Sequence, residues 1–134
     1  MTALICVDEQ NGISFGGRRQ SRDRLLCADA VRLCGRLKML PKTARLFEEW
    51  PDAAEVCDAL LREEGAYFVE TDDLAQAELD ELVIYRWNRR YPADRRLRFL
   101  PQEHGMVLIE RTEFAGYSHE RITREIWRKP HAER

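Results

Sequence analysis

The fold class is decided by a stretch at the start of the chain, Ala3-Leu4-Ile5-Cys6-Val7-Asp8. This apolar run breaks at Asp8 and is followed by Glu9-Gln10-Asn11-Gly12-Ile13-Ser14-Phe15-Gly16-Gly17-Arg18-Arg19-Gln20. An apolar run that ends at an Asn-Gly turn is typical of a buried strand that enters a long, glycine-containing loop. Loops of this kind commonly shape a ligand site.

The rest of the chain alternates between helix and strand patterns. Ser21 is predicted to be the N-cap of a helix that has Asp23 in its first turn and ends at Gly35. Further helices are predicted at residues 43–50, 52–64 and 72–77, and strands at 37–40, 66–69, 81–87, 106–113 and 118–128. This order predicts a three-layer α/β domain over residues 1–130, with a mostly parallel mixed sheet and an antiparallel C-terminal strand pair. Residues 131–134 are predicted to be a frayed tail.

The composition favours a globular protein. The chain has 134 residues, of which 44% are hydrophobic and 34% charged, and no apolar run approaches the roughly 20 residues of a membrane helix. Because no secretion signal is present, we expect a soluble, cytoplasmic protein without membrane contact. The cysteines, at positions 6, 27, 34 and 57, form no Cys-x-x-Cys pair, so we expect reduced, buried thiols and no metal site.

Charge is unevenly distributed along the chain. Between Glu48 and Glu81 there are thirteen acidic residues and one basic residue, Arg62, so the flanks are basic. Such asymmetry indicates either an anionic partner or neutralisation within the fold.

Several motifs resemble those of dihydrofolate reductase. Val7-Asp8, Asn11-Gly12-Ile13, Gly16-Gly17-Arg18 and Asp23 are similar to its first strand, its active-site loop and the acidic residue of its first helix. Leu82-Val83-Ile84-Tyr85-Arg86, Tyr91-Pro92-Ala93-Asp94 and residues 118–129 resemble its penultimate region, a Pro-containing segment and its closing strand. The resemblance implies a dihydrofolate reductase-like fold with a cleft between the 11–20 loop and the first helix. It also implies that Asp23 is the catalytic proton relay.

The resemblance is weakest where the family binds NADPH. There the family uses a Gly-Arg-x-Thr helix start and a Gly-Gly turn, whose backbone amides hold the phosphates. This chain has Leu40-Pro41-Lys42-Thr43 and Glu70-Thr71-Asp72 instead. Lys42 and Thr43 remain as candidate cofactor-binding residues, but Pro41 lacks an amide donor, and acidic residues 70, 72 and 73 would repel a pyrophosphate. We therefore expect no cofactor, and NADPH is disfavoured.

The opening also resembles short proteins that are labelled ribonuclease Z. That activity requires a His-x-His-x-Asp-His cluster to hold two zinc ions. His104, His119 and His131 do not provide such a cluster. We therefore discount the label.

The candidate ligand-binding residues belong to the glycine-containing loop and the segment after it. They are Asn11, Gly12, Ile13, Gly16, Gly17, Arg18, Arg19 and Arg22. The three arginines could bind a phosphate or carboxylate through bidentate contacts, or could be solvated and paired with the acidic middle of the chain. Asp23 could equally be a helix-capping residue without a catalytic role.

These observations favour a domain that binds a small ligand or partner without NADPH-dependent folate reduction. One alternative is an atypical reductase of a pterin-like substrate that uses Asp23. A second is nucleic-acid binding through residues 85–99, where six arginines alternate with four aromatic residues. Ser118, His119 and Glu120 are predicted to alternate between the faces of a strand and not to converge on one atom. The sequence leaves the oligomeric state open.

Overall fold

A computed structural model of the chain describes residues 1–75 and 77–130, so the predicted tail lies outside the described residues. The strands are β1 (Thr2–Val7), β2 (Gly12–Phe15), β3 (Arg18–Arg19), β4 (Leu37–Met39), β5 (Ala54–Val56), β6 (Ala66–Phe68), β7 (Glu81–Arg86), β8 (Arg95–Arg96), β9 (Val107–Phe114) and β10 (Ile122–Arg128). The helices are α1 (Arg24–Cys34) and α2 (Pro41–Ala44), with 3-10 helices at Arg45–Phe47 and Pro101–His104. None of these helices is long and apolar enough to span a bilayer.

The main sheet has seven strands in the order β5-β4-β6-β1-β7-β10-β9. The neighbours from β5 to β7 are parallel, whereas β10 runs antiparallel to both β7 and β9. This topology confirms the predicted class, a mostly parallel mixed sheet with an antiparallel C-terminal pair.

The first strand shows how the sheet divides the core. Leu4 packs on one face with residues of α1, whereas Ala3, Ile5 and Val7 pack on the other. Both faces of a central parallel strand are buried, which explains its almost continuous apolar sequence. Helix α1 covers the first face as predicted, and segments outside the main sheet and the α-helices, such as 57–61, 74–75, 77–79 and 97–106, contribute most of the cover on the second.

The predicted loop at residues 9–20 contains a β-hairpin. Strands β2 and β3 pair antiparallel and are joined by Gly16 and Gly17, whose φ angles are 58° and 74°. Two consecutive positive φ angles define the tight hairpin turn that Gly-Gly favours. The hairpin adds β8 on its other side and forms a second, three-stranded sheet.

The predicted helix at residues 52–64 is wrong. Residues 54–56 form β5, and bonds from Leu37 N to Ala53 O and from Cys57 N to Met39 O extend its pairing with β4. Hydrogen bonding to the free edge of β4 is therefore more favourable for this segment than the helix that its apolar spacing predicts. The helix predicted at 43–50 begins at Pro41 and is short, and the described residues of the 72–77 segment form turns rather than a helix, with Gln76 outside the description.

The acidic middle of the chain is neutralised partly within the fold. Ion pairs join its carboxylates to the basic flanks, namely Glu49 to Arg24, Glu55 to Arg36, Glu63 to Lys38, Glu70 to Arg19 and Glu81 to Arg128. Neutralisation within the fold, rather than an anionic partner, thus accounts for much of the charge asymmetry along the chain.

One buried ion pair joins α1 to the sheet. Arg124 on β10 donates from Nη1 to both carboxylate oxygens of Asp29 on α1 at 2.8 Å, and the Tyr85 hydroxyl donates to the same carboxylate at 2.8 Å. Burial raises the pKa of Asp29, but the bonds from Arg124, Tyr85 and Arg32 outweigh burial and hold that pKa below its usual value. The carboxylate therefore stays ionised inside the fold.

Replacing Arg124 should leave the buried Asp29 carboxylate without its main ion-pair partner. We expect Arg124→Met to lower the free energy of unfolding by about 3 kcal/mol in urea denaturation, because the Asp29 carboxylate loses its main partner. Arg36→Met is the matched control, since the Arg36–Glu55 pair is 69% and 41% exposed and should contribute under about 1 kcal/mol. Equal losses in the two variants would contradict this assignment.

Candidate functional site

Asp23, rather than Ser21, is the N-cap of α1. Its backbone is extended, with φ −151° and ψ 126°, and its Oδ1 accepts hydrogen bonds from the amides of Leu25 and Leu26. The extended conformation and these two bonds are those of an N-cap residue. The predicted cap was two residues too early because Ser21 and Asp23 are both common capping residues.

The Asp23 carboxylate also binds the segment that precedes β10. Oδ1 accepts a third bond from Tyr117 N at 2.9 Å, and Oδ2 accepts bonds from Ser118 N at 2.9 Å and His119 Nδ1 at 2.9 Å. The Ser118 hydroxyl adds a longer bond to Oδ2 at 3.3 Å. Burial raises the pKa of Asp23, but these hydrogen bonds together outweigh it and lower the pKa to about 2.

His119 is buried and lies at the centre of a polar network. Because Asp23 is an ionised acceptor, Nδ1 carries the donated proton, and in the neutral form of the ring Nε2 is an acceptor. Nε2 lies 2.9 Å from the Tyr91 hydroxyl and 3.2 Å from Ser21 Oγ. The ring also stacks on Trp87, with centroids 4.5 Å apart.

The prediction that Ser118 and His119 alternate along a strand and do not converge on one atom is therefore wrong. Strand β10 begins only at Ile122, and the Gly116 amide closes a turn on His119 O at 2.9 Å. This turn allows Ser118 and His119 to reach the same carboxylate. Gly116 was the residue in the sequence that could have indicated this turn. Glycine is needed there because a Cβ would lie 2.6 Å from Asp23 Oδ2.

Several depressions border these residues; one of about 500 Å³ lies beside Trp87 and His119, and three others adjoin one another around Asp23 and Glu70. The central cavity, lined by residues that include Cys6, Ile13, Gln20, Ser21 and Trp87, has a volume of about 20 Å³, which is room for about one water molecule. The helix groove, about 420 Å³, is lined by residues that include Arg22, Arg45, Leu46, Trp50 and Tyr117. The hairpin cleft, about 240 Å³, is lined by residues that include Gly17, Arg18, Lys42, Thr43 and Arg95. Asp23 borders the central cavity and the helix groove, and Glu70 borders the central cavity and the hairpin cleft.

Glu70 is bound by the residues that were candidates for anion binding. Its carboxylate accepts two bonds from Arg19, at 2.7 and 2.9 Å, and one from the Thr43 hydroxyl at 2.7 Å. Burial raises the pKa of Glu70, but these partners outweigh it and lower that pKa. Lys42, the other candidate, donates from Nζ to Gly17 O at the tip of the hairpin.

The other predicted ligand-binding residues lie in different places, some in the turn around Asp8, some at the central cavity and some at the exposed hairpin. Asn11 and Gly12 form a turn around Asp8, whose carboxylate accepts from Gly12 N at 2.7 Å, and Asn11 accepts from Arg86 at 3.1 Å. Ile13 reaches the central cavity, while Gly16 lies at the exposed hairpin tip and Arg18 is exposed on β3. The structure thus brings only some of the predicted set together, with Ile13, Arg19, Arg22 and Asp23 all lining the central cavity.

The arginine-rich segment has the predicted charge but few accessible rings. Tyr85, Trp87 and Phe99 are buried, and Tyr91 is half-buried and bonded to His119. The interleaved aromatic residues therefore pack in the core, which removes most of the stacking surface that the nucleic-acid hypothesis requires. The arginines at 89, 90, 95, 96 and 98 are exposed.

The cysteines near the site are free thiols. All four cysteines are free, Cys27 is buried and the others are half-buried. Burial raises the pKa of Cys27 to about 12 and also raises the pKa of Cys6, so both thiols that line the central cavity are protonated. Within residues 1–75 and 77–130, no group of three or more His, Cys, Asp or Glu side chains could hold a metal ion.

Comparison with solved structures identifies a similar fold. A dihydrofolate reductase from Enterococcus faecalis complexed with NADP(H) and RAB-propyl superposes with a TM-score of 0.65, over 96% of this chain and 95% of that chain, at 11% sequence identity. No family model and no curated protein matches the sequence. The likeness shows that the chain has a dihydrofolate reductase-like fold.

The depressed pKa of Asp23 predicts a pH dependence of stability. A carboxylate whose pKa falls from 3.8 to about 2 on folding contributes about 2 kcal/mol above its unfolded pKa, and this contribution is lost as the pH falls towards 2. We expect Asp23→Asn to reduce the loss of stability between about pH 5 and pH 2 by that amount, measured by urea denaturation at each pH. Asp52→Asn, at an exposed position, should leave the wild-type profile unchanged. If the stability of Asp23→Asn fell with pH as steeply as that of the wild type, the lowered pKa of Asp23 would be contradicted.

Proposed function

We propose that this dihydrofolate reductase-like domain binds a small anionic, aromatic ligand in the helix groove and does not reduce folate with NADPH. The proposal has two parts, the absence of a dinucleotide site and the presence of a ligand groove. Each rests on separate side chains and has its own test.

The observation that carries the first part is the Glu70 carboxylate bonded to Arg19 and Thr43. These are the donors with which a phosphate would have to bond, and an internal anion already uses them. Two like charges 4 Å apart repel by roughly 4 kcal/mol at an effective dielectric constant of about 20. A phosphate would therefore have to displace Glu70 or approach against its charge.

The surrounding backbone and space also do not fit a dinucleotide. Helix α2 has only four residues and begins at Pro41, which has no amide proton to donate to a phosphate. The central cavity, at about 20 Å³, accommodates about one water molecule and is far smaller than a nicotinamide ring. The residues present therefore do not form an NADPH site.

The second part rests on the helix groove. The groove, of about 420 Å³, is lined by three arginines and three carboxylates, namely Arg22, Arg24, Arg45, Asp23, Glu48 and Glu49. Glu49 pairs with Arg24, and the Asp23 carboxylate is bonded to residues 117–119. Arg22 and Arg45 supply positive charge opposed by Glu48, beside the aromatic surface of Trp50 and Tyr117. Arg22 and Tyr117 are exposed, the latter to 70%. Guanidinium groups beside aromatic faces suit a flat ligand that has a carboxylate.

NADPH should therefore not bind the wild-type protein. We expect no saturable change in tryptophan fluorescence on titration with NADPH and no oxidation of NADPH in the presence of dihydrofolate. Glu70→Gln removes the repelling charge and should strengthen NADPH binding at least about tenfold, equivalent to ~1.4 kcal/mol. Glu103→Gln, at an exposed position, is the control and should have no effect. Micromolar NADPH binding with hydride transfer to dihydrofolate by the wild type would refute this part.

An aromatic carboxylate should bind the helix groove. We expect benzoate to give a saturable heat signal in isothermal titration calorimetry, and Arg22→Gln to weaken its binding about tenfold by removing one charge-assisted hydrogen bond. Arg36→Gln is the control because Arg36 is an exposed arginine near the opposite end of α1. Failure of wild type to bind benzoate, or equal weakening by both substitutions, would rule out this ligand class.

A further inference from the structure

We propose that Ser21, His119 and Asp23 act as nucleophile, general base and orienting carboxylate, and that the domain hydrolyses a small carboxylic ester that enters from the helix groove. This activity goes beyond the proposed function and depends on it only in the use of the same groove. The absence of an NADPH site neither requires nor excludes it.

The geometry is that of a serine activated by histidine. Asp23 Oδ2 lies 2.9 Å from His119 Nδ1, and His119 Nε2 lies 3.2 Å from Ser21 Oγ. A hydroxyl within hydrogen-bond reach of a base that a third group orients is the arrangement that activates a nucleophile. Such arrangements are recognised by distance and role rather than by chain order, so the order Ser21, Asp23, His119 is no objection.

The surroundings keep this arrangement in one tautomer. The side chains of His119 and Asp23 are 2% and 0% exposed, and Trp87 stacks on the imidazole. The ionised carboxylate fixes the proton on Nδ1, so Nε2 is the nitrogen that can accept a proton from Ser21. Ser21 is half-buried and lines the central cavity, and the next residue, Arg22, lines both that cavity and the helix groove. The central cavity and the helix groove share the lining residues Arg22, Asp23, Cys27 and Leu46, so an ester in the groove would reach the hydroxyl by extending its acyl group past them.

Tyr91 has a complementary role. Its hydroxyl lies 2.9 Å from the same Nε2 and competes with Ser21 for the single lone pair of that nitrogen, so proton transfer from Ser21 requires Tyr91 to give up this bond. When Nε2 takes the Ser21 proton it can no longer accept, and the Tyr91 hydroxyl is released to donate to the carbonyl oxygen as negative charge develops there. Tyrosine hydroxyls are among the donors that stabilise such oxyanions.

The reaction balances with water as the only co-reactant. Ser21 Oγ bonds to the ester carbonyl carbon while its proton passes to His119 Nε2. The bond to the leaving alkoxide then breaks, and Nε2 returns the proton to it as an alcohol. Water attacks the acyl-serine with His119 as base, the carboxylic acid leaves, and the proton returns to Ser21 Oγ.

The same hydrogen bonds could serve only to tether residues 117–119 to α1. Under that interpretation, Ser21 would be an ordinary half-buried hydroxyl with no covalent reactivity. Variants of Asp23 or His119 would lose stability under both interpretations, so they do not separate the two. Covalent reaction of a probe with Ser21 separates the two interpretations, because only a catalytic Ser21 forms an adduct.

The test uses the full chain with a fluorophosphonate probe and with p-nitrophenyl acetate. We expect one probe adduct, located by mass spectrometry on the peptide that contains Ser21, and hydrolysis of the acetate above the buffer rate. Ser21→Ala should abolish both without changing the circular dichroism spectrum. Thr112→Val removes a hydroxyl on the edge strand β9, outside the three depressions, and should retain both activities.

Two further variants test the roles of the partners in acetate hydrolysis. We expect His119→Gln, if folded, and Tyr91→Phe each to lower the rate about 100-fold while Ser21 remains in place. No adduct on wild-type Ser21, an adduct on Ser118 instead, or hydrolysis that survives Ser21→Ala would overturn the proposal and leave the tether. NADPH titration of the same samples reports separately on the dinucleotide part of the proposed function.

Discussion

Asp23 links two distant parts of the chain, since its carboxylate accepts bonds from the first turn of α1 and from residues 117–119. An ionised group buried in this way is stable only while those donors surround it. The position of α1 on the sheet and the orientation of the His119 ring therefore depend on the same two oxygen atoms. The central cavity and the helix groove, which both border Asp23, take their shape from this contact.

The second constraint is the carboxylate of Glu70, which accepts hydrogen bonds from Arg19 on β3 and from Thr43 in α2. Through these bonds it fixes the hairpin against the sheet and narrows the space between the two. The chain keeps a dihydrofolate reductase-like fold at 11% sequence identity to the Enterococcus faecalis enzyme. Fold and activity are separable because activity depends on a few such groups.

Sequence patterns predicted β1, α1 and β7 because local periodicity and tertiary packing agree there. They failed at residues 52–64, where a helical pattern competes with the open edge of β4, and at the hairpin, where the Gly16-Gly17 turn was available but was interpreted as a loop. Asp23 was predicted from the resemblance to be the catalytic proton relay, and the structure places it, buried, beside the central cavity. Its catalytic role stays a prediction. Its partner His119 was missed because no local pattern specifies a contact between residues 96 positions apart.

The protonated thiols of Cys6 and Cys27 give the cavity a further property. Thiolates, not thiols, react with electrophiles and mild oxidants, so the folded interior should tolerate air and alkylating reagents even though two sulfur atoms line it. Unfolding returns these cysteines to water and to ordinary reactivity. The rate at which a maleimide modifies Cys6 and Cys27 would therefore report how often the domain unfolds locally around the central cavity.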